Sequence, residues 1–195
     1  MAAAFTEQEK EIIRAALKKS AQECIPTVGV RGATVEHLTK SAGISKGAFY
    51  DFYESKEHLF FEVMEDWHEV LYSEAMKVLR ERTDLSDSDR AAEALLRVCA
   101  ILEKNSLMDF LENDLPYILR KIPPEALQKH YHSDDVHIGE ILRKSGLRLT
   151  QPPEVACDAV RLLFLSLTSR RQIGRHFPQV LELAVRSVCS RLISN

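Results

Sequence analysis

The stretch ATVEHLTKSAGISKGAFYDFYESK, residues 33–56, sets two short helical patterns back to back with only Gly43 and Ile44 between them. Thr34 is a good N-cap, Glu36 favours the positive end of the helix that follows, and Val35, Leu38 and Ala42 give that helix an inner face. Gly43 suits the left-handed conformation that closes a helix. Ser45 is placed to cap the next one, whose inward residues are Phe49 and Tyr53. A corner this tight has two uses: it is an ordinary packing corner of a helical protein, or a helix-turn-helix that presents its second helix to a DNA major groove.

In the second case Ser45, Lys46, Ala48 and Tyr50 face outward near the start of the recognition helix, where side chains reach base edges and phosphates. Gly47 lets the DNA backbone come close, and Lys46 and Lys56 each neutralise a phosphate. Thr34 sits at a helix start whose free N–H groups suit another phosphate, and Tyr50 offers a hydroxyl or a ring to a thymine methyl. Charge adds little, since residues 1–56 carry eight basic against seven acidic residues and the whole chain has a formal net charge of −3. A nucleic-acid partner therefore has to be argued from local geometry.

The remainder reads as helix. Glycine and proline number seven each in 195 residues, and apolar residues recur at helical spacing almost throughout. Ile13, Ala16, Leu17, Ser20 and Cys24 stripe a first helix that IPTVGVRG stops near Glu23. A small loop is expected in that link, with Arg31 solvated. Lys56 opens a long helix to about Arg82, and further helices are expected over about 89–105, 107–121, 124–144, 153–173 and 178–193, with prolines suiting their first turns. The expected fold is all-α, of about nine helices. A three-helix head over residues 1–56, with its helix-turn-helix at about 34–53, is joined by the long helix to a second helical domain over residues 57–195.

Several functions find no support. No GxSxG, HExxH or glycine-rich phosphate loop is present, and the seven histidines lack a nucleophile partner, so no enzyme is expected. The longest strongly apolar run, Leu162 to Leu167, is far short of a membrane span, which takes roughly 20 residues. The N-terminus lacks the order of a signal peptide, and the expected location is cytoplasmic. Cys24, Cys99, Cys157 and Cys189 form no CxxC pair and read as small buried hydrophobes. KHYHSDDVH, residues 129–137, gathers His130, His132, Asp134, Asp135 and His137, but the spacing matches no closed structural metal site, and neither metal nor other cofactor is expected.

Residues 34–64, TVEHLTKSAGISKGAFYDFYESKEHLFFEVM, resemble the DNA-binding signature of TetR/AcrR-type transcriptional regulators. Thr34, Ala42, Gly43, Ser45, Lys46, Gly47, Phe49, Tyr50 and Lys56 fill the places of that signature. The resemblance implies that the corner contacts a double-stranded DNA operator through Thr34, Ser45, Lys46, Gly47, Ala48, Tyr50, Asp51 and Lys56. Two departures stand out. Phe52 precedes Tyr53 where the family has a polar residue and then an inward aromatic, which removes one usual phosphate contact. Asp51 would repel phosphate and instead accept from a cytosine N4 amine.

The same resemblance implies a homodimer that represses transcription from a palindromic operator until a small apolar or amphipathic effector releases it. The alternative is a DNA-bound regulator controlled by a protein partner. The effector site would draw on Met64, Trp67, His68 and Leu71 of the long helix and on Met108, Phe110 and Tyr117, since aromatics, methionines and a few polar tips make such pockets. The last two helices would pair across a two-fold axis through Val155, Ala159, Leu162, Leu163 and Ser166 and through Leu181, Ala184, Val185, Val188 and Leu192. Stripes like these also pack within one chain.

Overall fold

The structure is a computed structural model and describes residues 5–104 and 107–194. Its elements follow the breakers in the sequence: α1 Glu7–Cys24, α2 Gly29–Gly32, α3 Val35–Ala42, α4 Lys46–Phe49, α5 Lys56–Glu81, α6 Asp87–Lys104, α7 Leu107–Asp109, a π-helical turn Phe110–Asp114, α8 Leu115–Leu119, α9 Pro124–Ser145, α10 Pro153–Leu167, α11 Arg170–Ile173 and α12 Phe177–Leu192. Among the described residues no strand forms, only one isolated bridge between Leu149 and Ile193. No helix there is long and apolar enough to cross a membrane.

The helix starts are chemically legible. Thr6 caps α1 in a capping box with Glu9, and prolines occupy the first turns of α8, α10 and α12, where a missing N–H costs nothing. Two expected helices are interrupted instead. Pro116 cannot donate to the carbonyl one turn back and its ring crowds it, and the segment expected as one helix over 107–121 resolves this strain by a π-helical turn just before the proline. The expected 153–173 helix ends at Leu167, where Thr168 bonds its hydroxyl back to the Leu165 carbonyl at 2.8 Å, and a separate turn, α11, follows.

The chain forms two compact units, Met1–Trp67 with Asn113–Pro123, and His68–Glu112 with Pro124–Asn195. The first unit has its core in Leu17, Val30, Leu38, Phe49, Leu59, Phe60, Val63 and Ile118, all fully covered. Each such side chain contributes about 1.5–3 kcal/mol by leaving water. In the second unit α12 packs chiefly on α6, and also on α10, which packs in turn on α9. Phe110, Leu167, Val185 and Cys189 fill its interior. Arg186 of α12 holds α6 from the rim, reaching Glu93 at 2.7 Å.

All four cysteines are buried free thiols, as their positions on apolar stripes foretell. Burial pushes the Cys99 thiol up to about 12 and that of Cys189 to about 11, so neither ionises near neutral pH.

Candidate nucleic-acid interface

The corner is built by local chemistry. The Thr34 hydroxyl accepts the His37 amide at 3.2 Å and opens α3, and Gly43 closes it at φ +66° with its amide turned back to the Lys40 carbonyl. A Cβ on Gly43 would meet no atom within 4 Å, so backbone conformation, not space, selects glycine there. The Ser45 hydroxyl accepts the Ala48 amide at 3.1 Å and opens α4. The α-helical part of α4 is a single turn. Beyond it the amides of Tyr50, Asp51 and Phe52 bond three residues back, a tighter winding that carries the segment to Tyr53.

Three aromatics anchor this short element. Phe49 is fully buried, edge-on to Tyr50 and 5.8 Å from the Tyr53 ring. Phe52 is also buried, beside Phe5, so the departure noted in the sequence is used for packing rather than for a phosphate. Arg14 of α1 lies over both Phe52 and Tyr53 and donates to the Phe52 carbonyl at 3.4 Å. That role of Arg14 is invisible to helical periodicity.

The outward face is open. Ser45, Lys46, Gly47, Tyr50 and Asp51 are exposed, Ala48 is half-buried, and Thr34 stands exposed at the start of α3. A Cβ on Gly47 would find only the Ser45 hydroxyl, at 3.8 Å, which leaves the backbone there accessible to a flat surface. Lys46 bridges to Glu36 of α3 at 2.7 Å, and that bond holds the Glu36 carboxyl below its usual range and the Lys46 ammonium above its own. Both groups are solvent-exposed, so the pair exchanges readily for a stronger anion.

Lys56, which the sequence offers as a phosphate contact, has internal partners in this chain. Its ammonium donates to the carbonyls of Val30, Arg31 and Ala33 at 2.9, 3.1 and 2.7 Å, which occupies all three of its N–H groups. Those carbonyls lie at the C-terminal end of α2, so the charge also meets the negative end of a short helix. The link expected as a loop is thus a clamped helical turn. Its other end is held by Asp114, whose carboxylate accepts the Val30 amide at 3.2 Å beside Gly29 at φ +66°. Arg31, expected to be solvated, lies with its guanidinium 5.2 Å from the Tyr117 ring, and Tyr117 donates to Glu57 at 2.7 Å.

The residues nominated for an effector site fall in both units. Met64, Trp67 and Tyr117 belong to the first, and His68, Leu71, Met108 and Phe110 to the second. Met64, Met108 and Phe110 are fully enclosed core side chains, while Trp67, His68, Leu71 and Tyr117 are half-buried. The nominated dimer stripe divides likewise. Leu163, Leu181 and Val185 are buried within the chain's own core, Ala159, Ser166, Ala184, Val188 and Leu192 are half-buried, and Val155 and Leu162 are exposed. Leu165, Val180 and Leu183, which the stripe leaves out, are exposed as well. A heptad-like pattern does not reveal which of two apolar faces turns inward.

Residues 17–63 match the family model for bacterial regulatory proteins of the tetR family. An uncharacterized HTH-type transcriptional regulator of Bacillus subtilis, YuxN, is 31% identical over 140 residues. That alignment takes in 65% of this chain, and the chain spans 44% of the length of that relative. Among solved structures, a TetR-family transcriptional regulator from Pectobacterium atrosepticum aligns with a TM-score of 0.67 at 16% identity, covering 94% of this chain and 93% of that one. Thermus thermophilus FadR, a TetR-family repressor bound to lauroyl-CoA, aligns with a TM-score of 0.64 at 20% identity over 93% of this chain and 96% of that one.

Proposed function

We propose that the chain, whose residues 17–63 match the family model for bacterial regulatory proteins of the tetR family, is a sequence-specific transcriptional regulator of that family, a homodimeric repressor released from a palindromic operator by a small-molecule ligand. The observation that carries this reading is the open face of α4: a capped turn pinned from below by Phe49, Phe52 and Tyr53, with Ser45, Lys46, Gly47, Ala48 and Tyr50 above. Lys46 takes a phosphate in exchange for Glu36, Gly47 admits the backbone, and Thr34 and Ser45 place two helix N-termini toward the sugar–phosphate chain. Tyr50 and Asp51 are left to read base edges. Dimerisation is assigned to Val155, Leu162 and Leu165 of α10 with Val180 and Leu183 of α12, apolar side chains that water covers in the single chain.

The Thermus protein holds lauroyl-CoA, an amphipathic ligand, which supports an effector of apolar or amphipathic character here. The effector site is assigned to the second unit, with His68 and Leu71 as its half-buried contributors from α5. A ligand favouring one conformation of that unit shifts the population through α5, which runs unbroken from Lys56 into the second unit.

Selection from a random duplex pool with the purified protein tests the reading. An inverted repeat of fixed half-site spacing is expected, and a pool that remains random under moderate salt removes the proposal. With the operator in hand, Lys46→Ala should lower affinity several-fold and reduce the slope of log affinity against log salt by about 0.9, the loss of one phosphate contact. Glu36→Gln should act in the opposite direction, raising affinity several-fold at low salt, because it removes both the internal competitor for Lys46 and a charge that repels DNA. An unchanged salt slope in Lys46→Ala would remove α4 from the phosphate backbone.

A further inference from the structure

His68 of α5 and His130 and Asp134 of α9 meet inside the second unit with one ligand atom each, all within 4.8 Å of one another. Asp134 Oδ1 is 3.1 Å from His68 Nδ1, and Oδ2 is 3.5 Å from His130 Nε2. The two imidazole rings lie 5.1 Å apart. The cluster is sheltered: His130 is 6% exposed and the Asp134 side chain 18%. His130 and Asp134 are one turn apart and project from the same face of α9. The third donor comes from a distant helix, which is why the run at residues 129–137 fits no known spacing by itself.

The surroundings orient the carboxylate. Tyr72, one turn beyond His68, donates its hydroxyl to Asp134 Oδ1 at 2.9 Å, and the His137 ring lies 5.2 Å from the Tyr72 ring. Burial opposes ionisation of Asp134, but the hydrogen bond and charge of His68, the charge of His130 and the Tyr72 hydroxyl outweigh it and hold the carboxyl below its usual range. A half-buried carboxylate facing two imidazole rings, with one ligand atom from each within 4.8 Å, is a ready donor set.

We propose that His68, His130 and Asp134 bind a single divalent transition-metal ion. Two imidazole nitrogens and a carboxylate oxygen select ions of the zinc, cobalt and nickel class over magnesium and calcium, which prefer all-oxygen shells. Bonds of about 2.0–2.2 Å to one ion bring its donors within about 3–4 Å of one another, a contraction that side-chain rotation supplies. Three protein ligands leave a further position for water or for a donor atom of an incoming molecule. Tyr72 keeps its bond to Asp134 and fixes the orientation of the carboxylate. The ion would tie α5 to α9 within the second unit, whatever the first unit contacts, so the inference stands apart from the DNA-binding reading.

The test uses the full chain stripped with a chelator and titrated with cobalt(II) chloride, followed by visible absorption, and with zinc chloride in competition against a chromophoric chelator. One ion per chain is expected, with a rise in Tm on zinc addition. X-ray absorption of the zinc-loaded protein should show two imidazole nitrogens with oxygen and no sulfur. His130→Gln and Asp134→Asn should each weaken binding at least about tenfold, whereas His132→Ala, exposed on the same helix, should leave it unchanged. Binding that survives Asp134→Asn, sulfur in the absorption spectrum, or no binding at all would each overturn the proposal. Where a variant fails to fold, the spectrum of the unaltered protein decides.

Discussion

Phe49→Ala will destabilise the first unit by about 3–5 kcal/mol, the cost of emptying a fully covered aromatic site in a helical core. The residue is 0% exposed, and its ring lies against those of Tyr50 and Tyr53. Because α4 has only one α-helical turn, Phe49 is the one fully covered side chain of that turn, and only Phe52 and Tyr53 beyond it remain to hold the segment once the ring is gone. A drop in Tm on the order of 10 °C follows, at about 2–4 °C per kcal/mol for a chain of this size. Circular dichroism melts provide the measurement, and Tyr50→Ala is the internal control. Tyr50 is 53% exposed, so its truncation should move stability by no more than about 0.5 kcal/mol while reducing operator affinity. Equal melting of Phe49→Ala and the parent would mean that the corner is not held by this ring.

Lys56→Met is expected to cost about 2 kcal/mol, since an unbranched apolar side chain of similar length is retained but three carbonyls lose a charged donor in a half-buried place. Val30, whose carbonyl is one of the three, is fully buried, so water cannot replace that bond without opening the turn. The same variant separates the two roles offered for this lysine. If the ammonium serves α2, Tm falls by several degrees and the salt slope of DNA binding, measured where the variant is folded, stays that of the parent. If it serves a phosphate, stability is unchanged and the slope falls by about 0.9. The geometry predicts the first pattern.

These two residues mark the boundary between local and distant information. The ring of Phe49 was placed inward by spacing alone, because a helix of period 3.6 with Ser45 at its cap has only one face free to meet α3. Nothing near Lys56 in the sequence distinguishes a lysine that caps carbonyls 23 to 26 residues earlier from one that meets DNA. The resemblance to a family signature therefore marks the position, and only the fold supplies the three carbonyls that the ammonium meets in the free chain. Phe52 teaches the reverse. Its departure from the signature was legible, and burial beside Phe5 and Arg14 supplied the physical reason.

The sequence by itself determined what depends on groups within about one helical turn of each other: the caps at Thr34 and Ser45, the left-handed Gly43, the prolines in the first turns of α8, α10 and α12, and hence an all-helical chain with a tight corner near its start. Only the tertiary structure decided which donor meets which acceptor across ten residues or more. It set Asp114 on the Val30 amide, His68 against Asp134, Lys46 on Glu36, and Leu163, Leu181 and Val185 inside while Leu162 and Leu183 stayed in water. The reason is that caps and turns are satisfied by bonds whose geometry the backbone already fixes, whereas a buried face or a cluster of polar side chains is chosen by the packing of separate helices, which periodicity along one helix does not encode.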